Sequence, residues 1–291
     1  MTAYIVICAD PLNPARPDPA FELEDAAARA AGLERILLDH DSLEIHLDAE
    51  RALRRAKIGP HGPALYRGWM LRSEAYGALH AHLLSKGVKL IATRGEYSSC
   101  HHLPEAYPHI ARWTAQTTWL PKDQLEDAAA FAKALSPFGS APVVIKDWVK
   151  SQAQGYWREA CFILDASDHE NARQIVRGFC QITGDVTGGV VFRRYHELSK
   201  IDGVTTEWRA FVLQGRILGC WPRFTGTSEP PPEGLLDEIA AALPSPFASM
   251  DLAQQTDGSW LLIEVGDGQV SSFPPGASFP EIFQAILDAL K

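Results

Sequence analysis

No C-x-x-C pair occurs in this chain, and its five cysteines, Cys8, Cys100, Cys161, Cys180 and Cys220, are an odd number. Neither a disulfide framework nor a four-cysteine zinc site is indicated. Cys8, Cys161 and Cys220 lie in apolar, strand-like runs, so buried thiols in a reducing cytoplasm are expected. Long hydrophobic runs are also missing. None approaches the roughly 18 residues that a membrane span needs, so no membrane partner is expected. Ile5-Val6-Ile7 is too short for a secretory signal and Asp10 interrupts it. A basic excess is absent: the formal net charge is −9, which gives no general encouragement to nucleic-acid binding. Arg16, Arg51, Arg54, Arg55 and Lys57 could still make a local basic face, although a solvated helix face explains them more simply. There is no internal repeat, no long low-complexity segment and no G-x-x-x-x-G-K-[ST] phosphate loop. What remains is a chain of 291 residues, 46% hydrophobic, sufficient for one large domain or two ordinary ones.

The first third alternates short apolar runs with helical patterns. Tyr4 to Cys8, Ile36 to Leu38, Ala64 to Tyr66 and Val88 to Ala92 read as strands. Phe21 to Ala31, Asp48 to Lys57 and Ser73 to Lys86 read as helices, the first and last closed by Gly32 and Gly87. Such alternation predicts a small parallel α/β domain over about residues 1–115, with ligands beyond the carboxyl ends of the strands. Arg67 and Arg94 occupy two such ends. Arg67 is the stronger candidate to meet a substrate, and pairing with an acid is the alternative for both. Cys100-His101-His102 with His109 matches no common zinc spacing; a histidine there could still face a substrate.

The middle third offers Lys122 to Leu135 as a helix, Pro142 to Ile145 as a strand ending in Lys146, and a polar loop carrying Lys150. A strand resumes over Glu159 to Leu164, His169 to Gln181 is helical, and Gly189 to Phe192 runs as a strand into Arg193-Arg194-Tyr195-His196-Glu197-Leu198. A lysine at a strand end before a loop is well placed to meet phosphate oxygens. The last third is a strand series with helices at Gly234 to Leu243 and Pro280 to Leu290. Glu207 to Leu213 and Arg216 to Phe224 make a hairpin about Gln214-Gly215. Alternation puts Arg209 on a face with Phe211 and Leu213, where an arginine usually needs an anionic partner, either protein or polyphosphate.

A second hairpin, Met250 to Gln269 with a turn at Thr256-Asp257-Gly258, is the most telling stretch. Asp251 opens its first arm and Glu264 closes its second, so antiparallel pairing brings them together. Two like charges there are costly unless a cation lies between them. Their hard oxygens suit Mg²⁺, which takes one or two carboxylates plus substrate phosphates. Capping acids on a solvated hairpin are the alternative. If the pair holds metal, relief of repulsion predicts that an amide at either position leaves the metal-free fold intact or slightly firmer.

Five strings in order, VIKDWVKS, YWREACFI, GGVVFRRYHEL, EWRAFVLQGRI and LIEVGDGQ, resemble an uncharacterised branch of the ATP-grasp superfamily. They cover about residues 140–270; LYRGWML and EYSSCHHLPEAYP resemble the domain that precedes the grasp in that branch. The resemblance implies an α/β N-terminal domain at 1–115 and an α+β ATP-grasp fold at 116–291, its halves meeting near residue 200. It implies ATP between the halves, with adenine against the backbone of Arg193 to Leu198 and Glu197 on the ribose. Lys146 and Lys150 would contact phosphates, Arg209 would meet the γ-phosphate, and Asp251 and Glu264 would hold Mg²⁺. The implied chemistry is carboxylate activation as an acyl phosphate and capture by an amine, with small-molecule or peptide substrates. Joining or modifying RNA is the alternative, and a non-catalytic nucleotide sensor is a third. Two positions depart from the superfamily pattern. Gly266 stands where many members place a metal-binding Asn, so Asp267 is expected to substitute. Arg194 stands where the hinge is often acidic.

Overall fold

The computed structural model describes residues 2–149, 160–184, 186–224 and 229–291. β1 (Tyr4–Cys8), β2 (Glu34–Leu38), β3 (Gly62–Arg67) and β4 (Val88–Leu90) form a parallel sheet in the order β2-β1-β3-β4. Every residue of β1 is buried, the pattern of a central parallel strand covered on both faces. α1 (Glu22–Ala31) ends at Gly32, whose φ of 110° is the left-handed stop that glycine adopts without penalty. α2 (His40–Glu44) and α3 (Ala49–Leu53) start on Asp39 and Asp48, which accept from the backbone N–H of Ser42 and Arg51. α3 is thus shorter than the pattern over 48–57 suggests. α4 (Ser73–Ser85) follows, then α5 (Arg94–His101), begun by a reciprocal Thr93–Glu96 capping box, and α6 (Leu103–Ile110).

β5 (Thr117–Pro121), β6 (Val143–Asp147), β7 (Phe162–Ile163) and β8 (Gly189–Arg194) make an antiparallel sheet in the order β5-β8-β6-β7. α7 (Ala128–Leu135) and α8 (His169–Thr183) belong to this half. The helix expected from Lys122 begins only at Ala128, because Asp127 caps it and Lys122–Gln124 form a separate 3-10 turn. The strand expected over Glu159 to Leu164 is seen at Phe162–Ile163; Glu159 lies outside the described residues. A small hairpin of β9 (Lys200–Ile201) and β10 (Val204–Thr205) leads into the second half. There β11 (Glu207–Leu213), β12 (Arg216–Pro222), β13 (Phe247–Gln254) and β14 (Trp260–Asp267) form an antiparallel sheet, order β12-β11-β13-β14. α9 (Glu233–Ala242) and α10 (Phe279–Leu290) complete it.

Packing crosses the sequence divisions. Ile282, Phe283 and Ile286 of α10 share one core with β1, β3 and α4, joined by Phe211 and Phe247 of the second sheet. Cys100, Ala106 and Ile110 share another with Ala210, Met250, Val265 and Ile239. α5 and α6 therefore pack as a wedge on the far face of the second sheet. The opposite face packs Phe211 and Phe247 into the first of these cores and, at the end carrying Arg209 and Glu264, meets Lys146 of the first half. Among the described residues no helix is long and apolar enough to cross a membrane.

Candidate active site

A single row across the second sheet places the central groups. Arg209 on β11 is in register with Asp251 on β13, and Asp251 is in register with Glu264 on β14. Directly opposed residues share a face, so the three side chains line up side by side. Glu207 lies two residues before Arg209 on that face. Arg223, just past β12, is anchored beside it, its backbone N–H donating to the Glu207 carbonyl at 2.8 Å. From the first half, Lys146 on β6 reaches over and donates to Glu264 at 3.3 Å. Arg209, Arg223 and Glu264 line a cleft of about 350 Å³ with Met70, His101 and Val149.

The charges are paired with one another. Arg209 donates Nε and Nη2 to both oxygens of Asp251, at 2.6 and 2.7 Å. Arg223 adds a third donation to Asp251 at 2.8 Å and approaches Glu207 at 3.3 Å. The Asp251 side chain is 3% exposed, against 15% for Arg209 and 31% for Arg223. The cation required between Asp251 and Glu264 is thus supplied by the protein's own basic groups. This overturns the expectation that an amide at Asp251 would be neutral or stabilising. Burial opposes ionisation of Glu264, but Lys146 and then Arg209 and Arg223 hold its carboxyl below the ordinary glutamate value. For Glu207 burial wins, and with Asp251 and Glu264 nearby the carboxyl is raised despite Arg223. Burial also opposes the charge of Arg209, yet its Asp251 partner holds the guanidinium above the usual arginine value.

Three candidates have side chains engaged away from the Arg209–Asp251–Glu264 row. Arg67 is 1% exposed; its Nε and Nη2 clasp both oxygens of Glu24 at 2.6 and 2.8 Å, and its Nη1 donates to the carbonyls of Gly268 and Ser271. Its donors are committed to holding the turn after β14 against α1. That turn in turn supplies the Ser272 carbonyl to Nη1 of Arg209 at 3.1 Å. Arg67 is therefore a positioning residue, one step removed from the cleft. Arg193 sits in the middle of the β5-β8-β6 ladder, and its guanidinium donates to Ile263 O and Thr114 Oγ1, both at 2.6 Å. Burial pushes its pKa down to about 10. Its side chain is a strut from β8 to the residue preceding Glu264, and any part of Arg193 in meeting adenine falls to its backbone. Asp267, three residues past Glu264, takes the other face of β14 and is fully buried. It accepts from Ser245 Oγ and from the backbone and side-chain nitrogens of Gln269, so it does not join Asp251 and Glu264. Lys150 lies outside the described residues.

At the end of β8 Arg194 Nε donates to Gln116, and beyond it Tyr195 packs edge-on against Phe162 at 5.2 Å, and Glu197 is exposed with its carbonyl accepting from Thr256. Arg94 is a surface residue paired with Glu74. Among the described residues no group of three His, Cys, Asp or Glu side chains is arranged to hold a metal, so Asp251 and Glu264 are the metal candidates as a pair. Two further elements escaped the sequence. Arg223 carried no signal of its own within the arm Arg216 to Phe224. Ser249 and Ser271 hydrogen-bond at 2.7 Å over Gly266, where an added Cβ would lie 2.8 Å from Ser271 Oγ and 3.0 Å from Ser249 Oγ. Hydroxyls occupy the space that a side chain at 266 would need.

Asp267 carries a pH prediction. Burial raises its pKa to about 7, partly opposed by Gln269 and Ser245. The folded state therefore holds a proton that the unfolded chain releases near the ordinary aspartate value. The stability from this group is full at low pH and is lost as pH rises from about 4 to 7, in total about 4 kcal/mol. Asp267→Asn is expected to remove that decline in urea unfolding measured at pH 5 and pH 8. A variant that declines as steeply as the wild type would show that Asp267 is ionised in the fold.

An ATP-grasp domain profile, R-two-K clade family 3, matches residues 136–286. No protein of curated function matches the sequence. A RimK-domain ATP-grasp protein from Sphaerobacter thermophilus DSM 20745 superposes with a TM-score of 0.62 at 18% identity, over 99% of each chain. The D-cycloserine synthetase DcsG superposes at 0.59 and 17%, over 99% of this chain and 100% of its own. The ATP-grasp ligase PsnB, complexed with minimal precursor, Mg and ADP, superposes at 0.60 and 13%, over 98% of each. At such identities the likeness is one of fold.

Proposed function

The chain belongs to the ATP-grasp domain family, R-two-K clade family 3, and from that membership we propose an ATP- and Mg²⁺-dependent ligase that joins a carboxylate to an amine. One observation carries the reading: Lys146 of the first half faces the Arg209–Asp251–Glu264 row of the second across the cleft. In the reaction, a substrate carboxylate oxygen attacks the γ-phosphorus of ATP and ADP leaves. The amine nitrogen then attacks the acyl carbon, phosphate leaves, and the nitrogen loses a proton. Catalysis of this kind is positioning and charge neutralisation, with no covalent enzyme intermediate. Lys146 and Arg209 would neutralise phosphate oxygens from opposite walls. Asp251 and Glu264 suit Mg²⁺: they are hard carboxylate oxygens side by side. An ion held by these two carboxylates would supply positive charge to phosphate oxygens.

The complex of PsnB with Mg, ADP and a precursor supports the cofactor assignment by analogy of fold. A second cavity of about 380 Å³ shares Met70, His101 and Val149 with the phosphate end, and Tyr97, His102, Trp148 and Arg72 help to line it. It is the place we assign to the second substrate, a small molecule or a peptide. A screen of amino acids, peptides and oligonucleotides for stimulated ATP cleavage tests the reading. ADP as product supports acyl phosphate chemistry; AMP formed only with RNA would replace this reading with nucleic-acid joining. Lys146→Ala is expected to raise the KM for ATP by roughly 10- to 100-fold, the loss of one charge-assisted hydrogen bond. An unchanged KM would remove Lys146 from the phosphate site.

A further inference from the structure

We propose that Arg223 is a third phosphate-binding cation of this site, stored on Asp251 until metal and nucleotide arrive together. The proposal rests on the ligase reading above. Three basic groups, Lys146, Arg209 and Arg223, meet three carboxylates, Glu207, Asp251 and Glu264, and each of the six is paired within the set. Asp251 has two guanidinium partners where one bidentate arginine would already occupy both its oxygens. Of those two, Arg223 is the more exposed, lines the cleft, and holds Asp251 through a single Nη1 contact. It is the cation most readily transferred to an incoming anion.

This pairing couples the two ligands. A divalent ion entering alone must displace guanidinium groups from a nearly buried carboxylate and leave them without that counter-charge. A polyphosphate entering alone must draw Arg209 and Arg223 away and leave Asp251 buried without a counter-charge. Arriving together, the ion takes the carboxylates while the phosphates take the arginines, and every charge is paired again. Linkage then makes the effect reciprocal: each ligand tightens the other by the same factor, expected at tenfold or more.

The test uses the whole protein, Mn²⁺ as the metal read by electron paramagnetic resonance, and a non-hydrolysable ATP analogue. Wild type is expected to bind Mn²⁺ at least tenfold tighter with the analogue than without it. Arg223→Gln, which lifts one of the two cations off Asp251, is expected to bind Mn²⁺ alone at least tenfold tighter than wild type and the metal–analogue complex at least tenfold weaker. Arg223→Lys keeps the charge and should restore part of the analogue affinity. A residue that merely supports the hairpin would change the melting temperature and leave the ratio of the two Mn²⁺ affinities unmoved. If wild type binds the analogue but Arg223→Gln leaves that ratio unchanged, this proposal alone is overturned. If wild type binds no analogue at all, the ligase reading goes down with it.

Discussion

Asp251→Asn is expected to abolish Mg²⁺-dependent turnover, by a thousandfold or more, and to lower the melting temperature of the metal-free protein. The second half reverses what the charges of the hairpin suggest on their own. Asp251 and Glu264 taken as a bare pair repel, so an amide should relieve strain. In the fold Asp251 receives three donations from Arg209 and Arg223, and the amide leaves two guanidinium groups short of their counter-charge. Breaking a buried ion pair by removing one partner costs roughly 3–5 kcal/mol. Arg209 and Arg223 keep 15% and 31% of their side-chain exposure, so water recovers part of this and the expected loss is about 2 kcal/mol. For a chain of 291 residues that is a fall of about 3 °C. Glu264→Gln should cost less stability, since its side chain is 39% exposed and, among the described residues, its one ion pair is with Lys146 at 3.3 Å. Calorimetric melting and an ADP-release assay with and without Mg²⁺ check both halves. An Asp251→Asn protein that melts early yet turns over normally with Mg²⁺ would make Asp251 scaffold and remove it from the metal site.

The second large effect belongs to Arg67, and it is an effect on stability. Its guanidinium and the Glu24 carboxylate are 1% and 8% exposed, so neither charge has water to fall back on. Arg67→Met leaves Glu24 buried and uncompensated and frees the Gly268 and Ser271 carbonyls. The expected loss is about 3–5 kcal/mol. Turnover should fall too, because the released turn carries the Ser272 carbonyl that Arg209 uses. Replacing both partners, Glu24→Leu with Arg67→Met, should restore much of the stability, since an apolar pair of similar bulk is well tolerated where an ion pair is buried. Chemical denaturation of the two singles and the double gives the coupling directly. Were Arg67→Met to melt like wild type and yet lose turnover, Arg67 would be a group that acts on substrate, as its place at a strand end first suggested.

Much of the architecture was legible because it is written in local periods. The parallel sheet of β1 to β4 follows from apolar runs alternating with helical patterns. The β13–β14 hairpin follows from its turn, and antiparallel geometry alone brings Asp251 opposite Glu264. The same parity could have excluded Asp267, since an odd offset from Glu264 sends its side chain to the other face; the resemblance to a metal-binding Asn two residues on outweighed it.

What the sequence by itself determined, then, is which residues share a face within one hairpin and which lie near strand ends: Lys146 close to the end of β6, Arg209 with Phe211 and Leu213, and Asp251 beside Glu264; that Arg209 lines up with the other two came from the pairing of β11 with β13. Only the tertiary structure decided their partners. Glu24 lies 43 residues before the Arg67 it clasps, and Asp251 lies 28 residues after the Arg223 that helps to neutralise it. The burial that raises Asp267 to about 7 comes with Ser245 and Gln269 as its partners and the tyrosines of α4 and α5 nearby. The physical reason is that backbone geometry sets side-chain direction over a few residues, whereas pairing, desolvation and pKa depend on which distant surfaces close around a charge.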